Sequence, residues 1–193
     1  MFRLKKWYQP QTYKHNRFND AHAEPQDILQ VWFAGVHADI GGGYPEKESG
    51  LSKYPLLWMI DEARKCGLNF TTANINQLAW GIKRKDSPFS YVKPCIRGCL
   101  HTSLKGAWWP LEYLPKRAKH REWPARKVHF GYYIPDAEPR LIPDGAIIHQ
   151  SAIERMNAMP SYRPVNMPAT YETFPMPVPP AHGASAEATE DEA

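Results

Sequence analysis

Apolar residues gather in short blocks along this chain, separated by long polar stretches broken by proline. The cleanest block is Ile28-Leu29-Gln30-Val31-Trp32-Phe33-Ala34-Gly35-Val36. A run this short, with β-branched and aromatic residues, predicts a buried strand. His37-Ala38-Asp39-Ile40-Gly41-Gly42-Gly43-Tyr44 comes next and predicts a glycine-rich turn. From Leu51 the period changes. Leu56, Met59, Ile60 and Ala63 recur at helical spacing and predict an amphipathic helix over 51–67. Ser52 is its expected N-cap, Pro55 falls in its first turn, and Gly67 is its expected stop. A short helix is expected over 75–80. Another is expected over 147–156, with Ser151 and Glu154 as a capping box. Residues 1–27 show no clean period and read as irregular. Seven prolines from Pro160 to Pro180 predict an extended surface segment, and 183–193 read as a disordered acidic tail. A buried strand, a histidine-bearing turn and an amphipathic helix in succession give an α/β fold.

Composition narrows this picture. The chain has 193 residues, 42% hydrophobic and 23% charged, the proportions of an ordinary globular protein. Nineteen prolines argue against a helical bundle, because an interior proline breaks a helix. No run approaches the roughly 20 apolar residues of a membrane-spanning helix. The opening MFRLKKWYQPQ carries positive charge without an apolar segment after it, so no secretory signal is expected and synthesis in the cytoplasm is.

Charge is unevenly spread. The net +4 contains a block from Lys83 to Lys127 with 12 Lys/Arg against 3 Asp/Glu. Trp108, Trp109 and Trp123 lie inside that block. A solvated face is the first expectation for it, an anionic membrane surface the second. Nucleic acid is not an expected partner, because a chain built to coat it would be more basic overall. The three cysteines Cys66, Cys95 and Cys99 show no paired zinc spacing and read as ordinary reduced thiols.

The sharpest chemical feature is His37. Catalytic residues of open α/β sheets collect beyond the carboxyl ends of strands. A histidine there can take and return a proton near neutral pH. Gly41, Gly42 and Gly43 would let backbone approach a substrate. Asp39 could orient His37, share a metal with it, or cap the turn, and capping is the default for an Asp so placed. His149 and Ser151 are two apart, too close in sequence to expect a nucleophile–base hydrogen bond. No cofactor and no metal ligand set is expected.

Val31-Trp32-Phe33-Ala34-Gly35-Val36-His37-Ala38-Asp39-Ile40-Gly41-Gly42-Gly43-Tyr44, followed by Leu51-Ser52 and Leu57-Trp58-Met59, resembles the signature of a bacterial α/β-hydrolase family. That family includes the first class of phospholipase effectors of type VI secretion systems. Trp109-Pro110-Leu111-Glu112-Tyr113-Leu114-Pro115, Ile147-Ile148-His149-Gln150-Ser151, Arg155 and Tyr162-Arg163-Pro164-Val165-Asn166-Met167-Pro168 are similar to its C-terminal part. The resemblance implies a Ser-Asp-His hydrolase of lipids or other esters, with His37 at the histidine's position and export by a type VI system. In that fold the serine sits in G-x-S-x-G, ahead of the acid and the histidine.

No serine of this sequence has glycine at both −2 and +2. The nucleophile and acid of such a triad would lie upstream of residue 1. The chain therefore reads as the C-terminal part of an α/β-hydrolase-like fold, comprising last sheet strand, His loop and helix, followed by a loop-rich, proline-rich extension. The expected divisions are 1–82 for the hydrolase-like part, 83–168 for a basic and aromatic extension packed on it, and 169–193 for a proline-rich acidic tail. The chain alone is expected to be inactive, with an upstream hydrolase fragment or a secretion-system component as partner. The competing expectation is a non-enzymatic remnant or docking module that binds a membrane.

Overall fold

The computed structural model describes residues 28–180 except 103, 105, 107 and 122. The irregular opening expected over 1–27 and the acidic tail lie outside them. Contacts divide the chain after Gln30, and the unit from Val31 onward is the one described here.

The unit mixes helices with a parallel sheet. In order, it contains β1 (Val31–Trp32), α1 (His37–Gly41), a 3-10 turn (Glu46–Glu48), α2 (Lys53–Lys65) and α3 (Thr72–Asn74), which runs into a π turn (Ile75–Ala79). Then come α4 (Trp108–Glu112), β2 (Lys116–Arg117), a 3-10 turn (Ala118–His120), β3 (Tyr132–Tyr133), β4 (Ala146–His149), α5 (Gln150–Ala158) and β5 (Tyr171–Phe174). The main sheet has the order β1-β4-β5 and both pairings are parallel. Val31 and Trp32 face Ile147 and Ile148, and β4 pairs residue for residue with β5 from Ala146↔Tyr171 to His149↔Phe174. A separate antiparallel pair joins β2 to β3. Among the described residues no helix is long and apolar enough to cross a membrane.

Two apolar clusters hold the unit. Ala34, Ala146, Ile148 and Ala152 form one, with Trp32, Ile153 and Tyr162 packed on it. Leu57, Ile75 and Ala79 form the other, with Ile60 and Trp80. Small residues at three of the four central positions of the first cluster let α5 lie close against β4.

Several sequence expectations change in the structure. The buried strand expected over 28–36 is two half-buried residues long, with Ile28 and Leu29 exposed ahead of it and the chain turning at Gly35, φ +129°, after it. The final helix starts at Gln150, and 146–149 is a strand instead. Ile147 and Ile148 are consecutive β-branched residues, which suit a fully buried strand as well as they suit a short helix. Within the proline-rich segment, residues 171–174 enter the sheet as its edge strand β5, with Tyr171, Glu172 and Thr173 still exposed.

Helix α2 stops as expected. Gly67 has φ +86°, its N–H donates to Arg64 O, and Leu68 N–H reaches back to Ala63 O. That is the reciprocal C-terminal pattern that favours glycine. Its start differs, since the Ser52 hydroxyl donates to Ser49 O and not into the helix. Its phase also differs by one residue. Tyr54 and Leu57 are buried while Leu56 and Met59 are exposed.

Candidate functional site

Because β1, β4 and β5 run parallel, their carboxyl ends share one edge of the sheet. Phe33 lies just past the end of β1, His149 ends β4, and Phe174 ends β5. The His149 ring stacks between the other two, with centroids 4.6 Å from Phe33 and 6.1 Å from Phe174. Tyr54 of α2 closes the group at 5.8 Å. This aromatic row seals the edge over which the chain passes to His37.

His37 is the first residue of α1 and is exposed. Its ring makes no hydrogen bond to a described residue and is available to solvent and to a ligand. The expected glycine turn is thus a short helix followed by a turn. Gly42 has φ +77° and ends α1, while Gly41, Gly42 and Gly43 are all exposed. Asp39 is buried and caps α1, accepting from Val36 N–H at 3.1 Å. Gly35 is required by that packing, since a Cβ there would sit 2.5 Å from Asp39 Cβ.

No hydrogen bond joins Asp39 to His37. Its partner is His101, a residue that the sequence did not single out. Asp39 Oδ1 lies 2.6 Å from His101 Nδ1, and Oδ2 accepts the His101 backbone N–H at 3.2 Å. The other ring nitrogen, Nε2, lies 3.2 Å from Glu48 Oε2. Tyr44 stacks on the ring with centroids 3.6 Å apart. A neutral imidazole donates from one nitrogen only, so a ring with a carboxylate at each nitrogen is satisfied as imidazolium. The hydrogen bond to Asp39, with that to Glu48, holds the His101 pKa above its ordinary value. The result is a clamp between the segment around 101 and the loop that carries His37.

A second clamp stands beside it. Lys53, almost fully buried, donates to Glu46 Oε1 at 2.8 Å and to Leu78 O at 2.8 Å. Glu46 Oε1 also accepts from Val92 N–H. Arg155, buried in α5, donates to Ile96 O and Gly98 O and lies over the Tyr162 ring. Glu46 and Arg155 tie 92–98 down, and no local pattern announces a tether that joins residues tens of positions apart.

His149 and Ser151 correct an expectation. They do form a hydrogen bond, with Nδ1 2.7 Å from Oγ. His149 occupies the N-cap of α5 and its Nδ1 accepts from Ser151 N–H at 3.2 Å. The capping residue is therefore His149 and not Ser151, and Glu154 accepts from Gln150 instead of closing a capping box. Extended backbone at His149 swings its ring over the first helical turn, which a reading by sequence separation overlooks. Both side chains are buried, so this pair serves as a cap and is closed to substrate. Burial lowers the His149 pKa to about 4, so the ring is neutral at pH 7. With Nδ1 accepting, the proton sits on Nε2, which is buried without a partner.

The metal alternative for His37 and Asp39 finds no further ligands. Among the described residues no three His, Cys, Asp or Glu side chains converge as a metal site. The three cysteines are exposed and unpaired. A groove of about 660 Å³ opens elsewhere, beside β3, lined by Tyr113, Arg126, Lys127, His129, Tyr132 and Asp136 among others.

Comparison with known proteins bears on the same segment. The family model described as "T6SS, Phospholipase effector Tle1-like, catalytic domain" matches residues 1–62. The resemblance read from the sequence is matched there, over a stretch that includes β1, α1 and most of α2. A curated relative, "Uncharacterized protein YEL023C" of Saccharomyces cerevisiae, is 39% identical over 56 residues. That match covers 28% of this chain and 8% of the yeast protein's length. No solved structure matches.

Proposed function

We propose that this chain is the C-terminal part of a serine ester hydrolase acting on lipid, of the type VI effector kind, and that His37 is the base of its Ser-Asp-His triad. The observation that carries this reading is the place of His37. It is exposed and unpaired among the described residues, beyond the carboxyl end of a parallel strand, inside the segment matched by the phospholipase effector family. In such a reaction the histidine takes the serine proton as the serine oxygen attacks the ester carbonyl, then gives it to the departing alcohol. Asp39 is already held by Val36 and His101, so it sets the loop and leaves the acid's place to another residue.

No G-x-S-x-G occurs in this sequence. The nucleophile and the acid accordingly come from another stretch of polypeptide, and the chain alone is inactive. Export by a type VI system fits this reading.

The test is complementation. Co-expression with an upstream hydrolase fragment containing G-x-S-x-G should restore hydrolysis of a soluble ester. His37→Ala should then lower the rate by about 10²–10⁴-fold, the usual contribution of a positioned base. Equal restoration by wild type and His37→Ala would remove His37 from the mechanism.

A further inference from the structure

The chain enters β3 through a tight turn that folding alone does not explain. His129 and Tyr132 exchange backbone hydrogen bonds of 2.8 and 2.9 Å, which leaves Phe130 and Gly131 as a two-residue turn. Phe130 has φ +48° and Gly131 φ +79°. Positive φ at both central positions defines the hairpin turn that selects Asn, Asp or Gly. Phenylalanine is poorly suited to its first position, because its Cβ crowds the backbone in left-handed conformations. The side chain gains nothing in return from the described protein, since Phe130 is 102% exposed. A strained backbone carrying a fully exposed aromatic ring points to a partner outside the chain.

The surroundings say which partner. Val128 and Tyr132 flank Phe130 and are 38% and 47% exposed. Residues 116–131 hold six Lys/Arg and one acid. Arg117, Lys119, Arg121 and Lys127 are exposed; Arg121 also donates to Arg126 O, and Arg126 to Asp136. An apolar tip carried by a basic segment suits an anionic bilayer. The ring enters the acyl boundary while the cations meet headgroups. Single-stranded nucleic acid is read on stacking platforms set in a groove, and a lone ring at the end of a turn makes no such platform.

We propose that the 128–132 turn is a membrane-docking tip that inserts Phe130 into anionic lipid surfaces, with the basic residues of 116–127 on the headgroups. The proposal is independent of the triad reading, because binding is measured without turnover.

The experiment is co-sedimentation of the full chain with phosphatidylcholine vesicles, with and without phosphatidylserine. Wild type should bind the anionic vesicles and lose that binding as salt rises. Phe130→Asn is the informative variant, since asparagine accepts the left-handed backbone. It should raise the melting temperature and lower vesicle partitioning by about tenfold. Lys127→Glu combined with Arg117→Glu should weaken binding by a similar factor while leaving the melt unchanged. Wild-type binding by Phe130→Asn, equal binding to neutral vesicles, or displacement from vesicles by a short single-stranded RNA would each overturn the proposal.

Discussion

Gly35 and the two partnered histidines decide most at the residue scale. A Cβ at Gly35 would collide with Asp39 at a φ that side chains rarely adopt. Gly35→Ala should destabilise the unit by about 1–3 kcal/mol, visible as a lower melting temperature. His101 and His149 titrate in opposite senses. The carboxylates around His101 raise its pKa, so its contribution is complete below the unfolded value of 6.5 and is lost as pH rises through the folded value. Burial lowers that of His149, so its neutral form is stable above pH 6.5. The unfolded state gains a proton, and stability falls, as pH drops from there toward about 4. Urea unfolding at pH 5.5 and pH 8 should show a His101→Gln variant losing more stability at the acidic pH. NMR titration of the His149 ring should show no protonation at pH 6. A midpoint near 6.5 would mean that the aromatic row is open to water.

Among the elements, β4 bears the most weight, because it is the central strand and carries residues of both the core and the aromatic edge. Ile148 is 2% exposed there. Ile148→Ala should cost about 2–5 kcal/mol by chemical unfolding, as for other buried aliphatic truncations. Helix α2 shows where a sequence pattern is legible and where it is not. Its existence, its Pro55 and its Gly67 stop follow from local chemistry. Its buried face does not, because Leu56-Leu57-Trp58-Met59-Ile60 is apolar all round and several phases fit. Contacts with Ile75, Ala79 and Phe33 select Leu57 and Trp58 over Leu56 and Met59.

Across the whole molecule, the order β1-β4-β5 binds residue 31 to residue 174. A chain ended after Pro168 loses β5, which unpairs one side of β4 and uncovers His149. Such a truncation should melt without a cooperative transition, although the removed residues are proline-rich and read as a tail. A sharp melt at the full-length temperature would show that β5 is dispensable. The sequence alone determined the α/β character, the helix α2 with its terminator, and the choice of His37 as the residue to watch, because these depend on neighbours within a turn or two. Only the tertiary structure decided that Asp39 answers to His101, that His149 is a sealed cap and that Phe174 closes the sheet edge. Asp39 and His101 are 62 positions apart, and the rings that seal His149 lie 25 to 116 positions from it, distances that leave no period, spacing or local propensity in the chain.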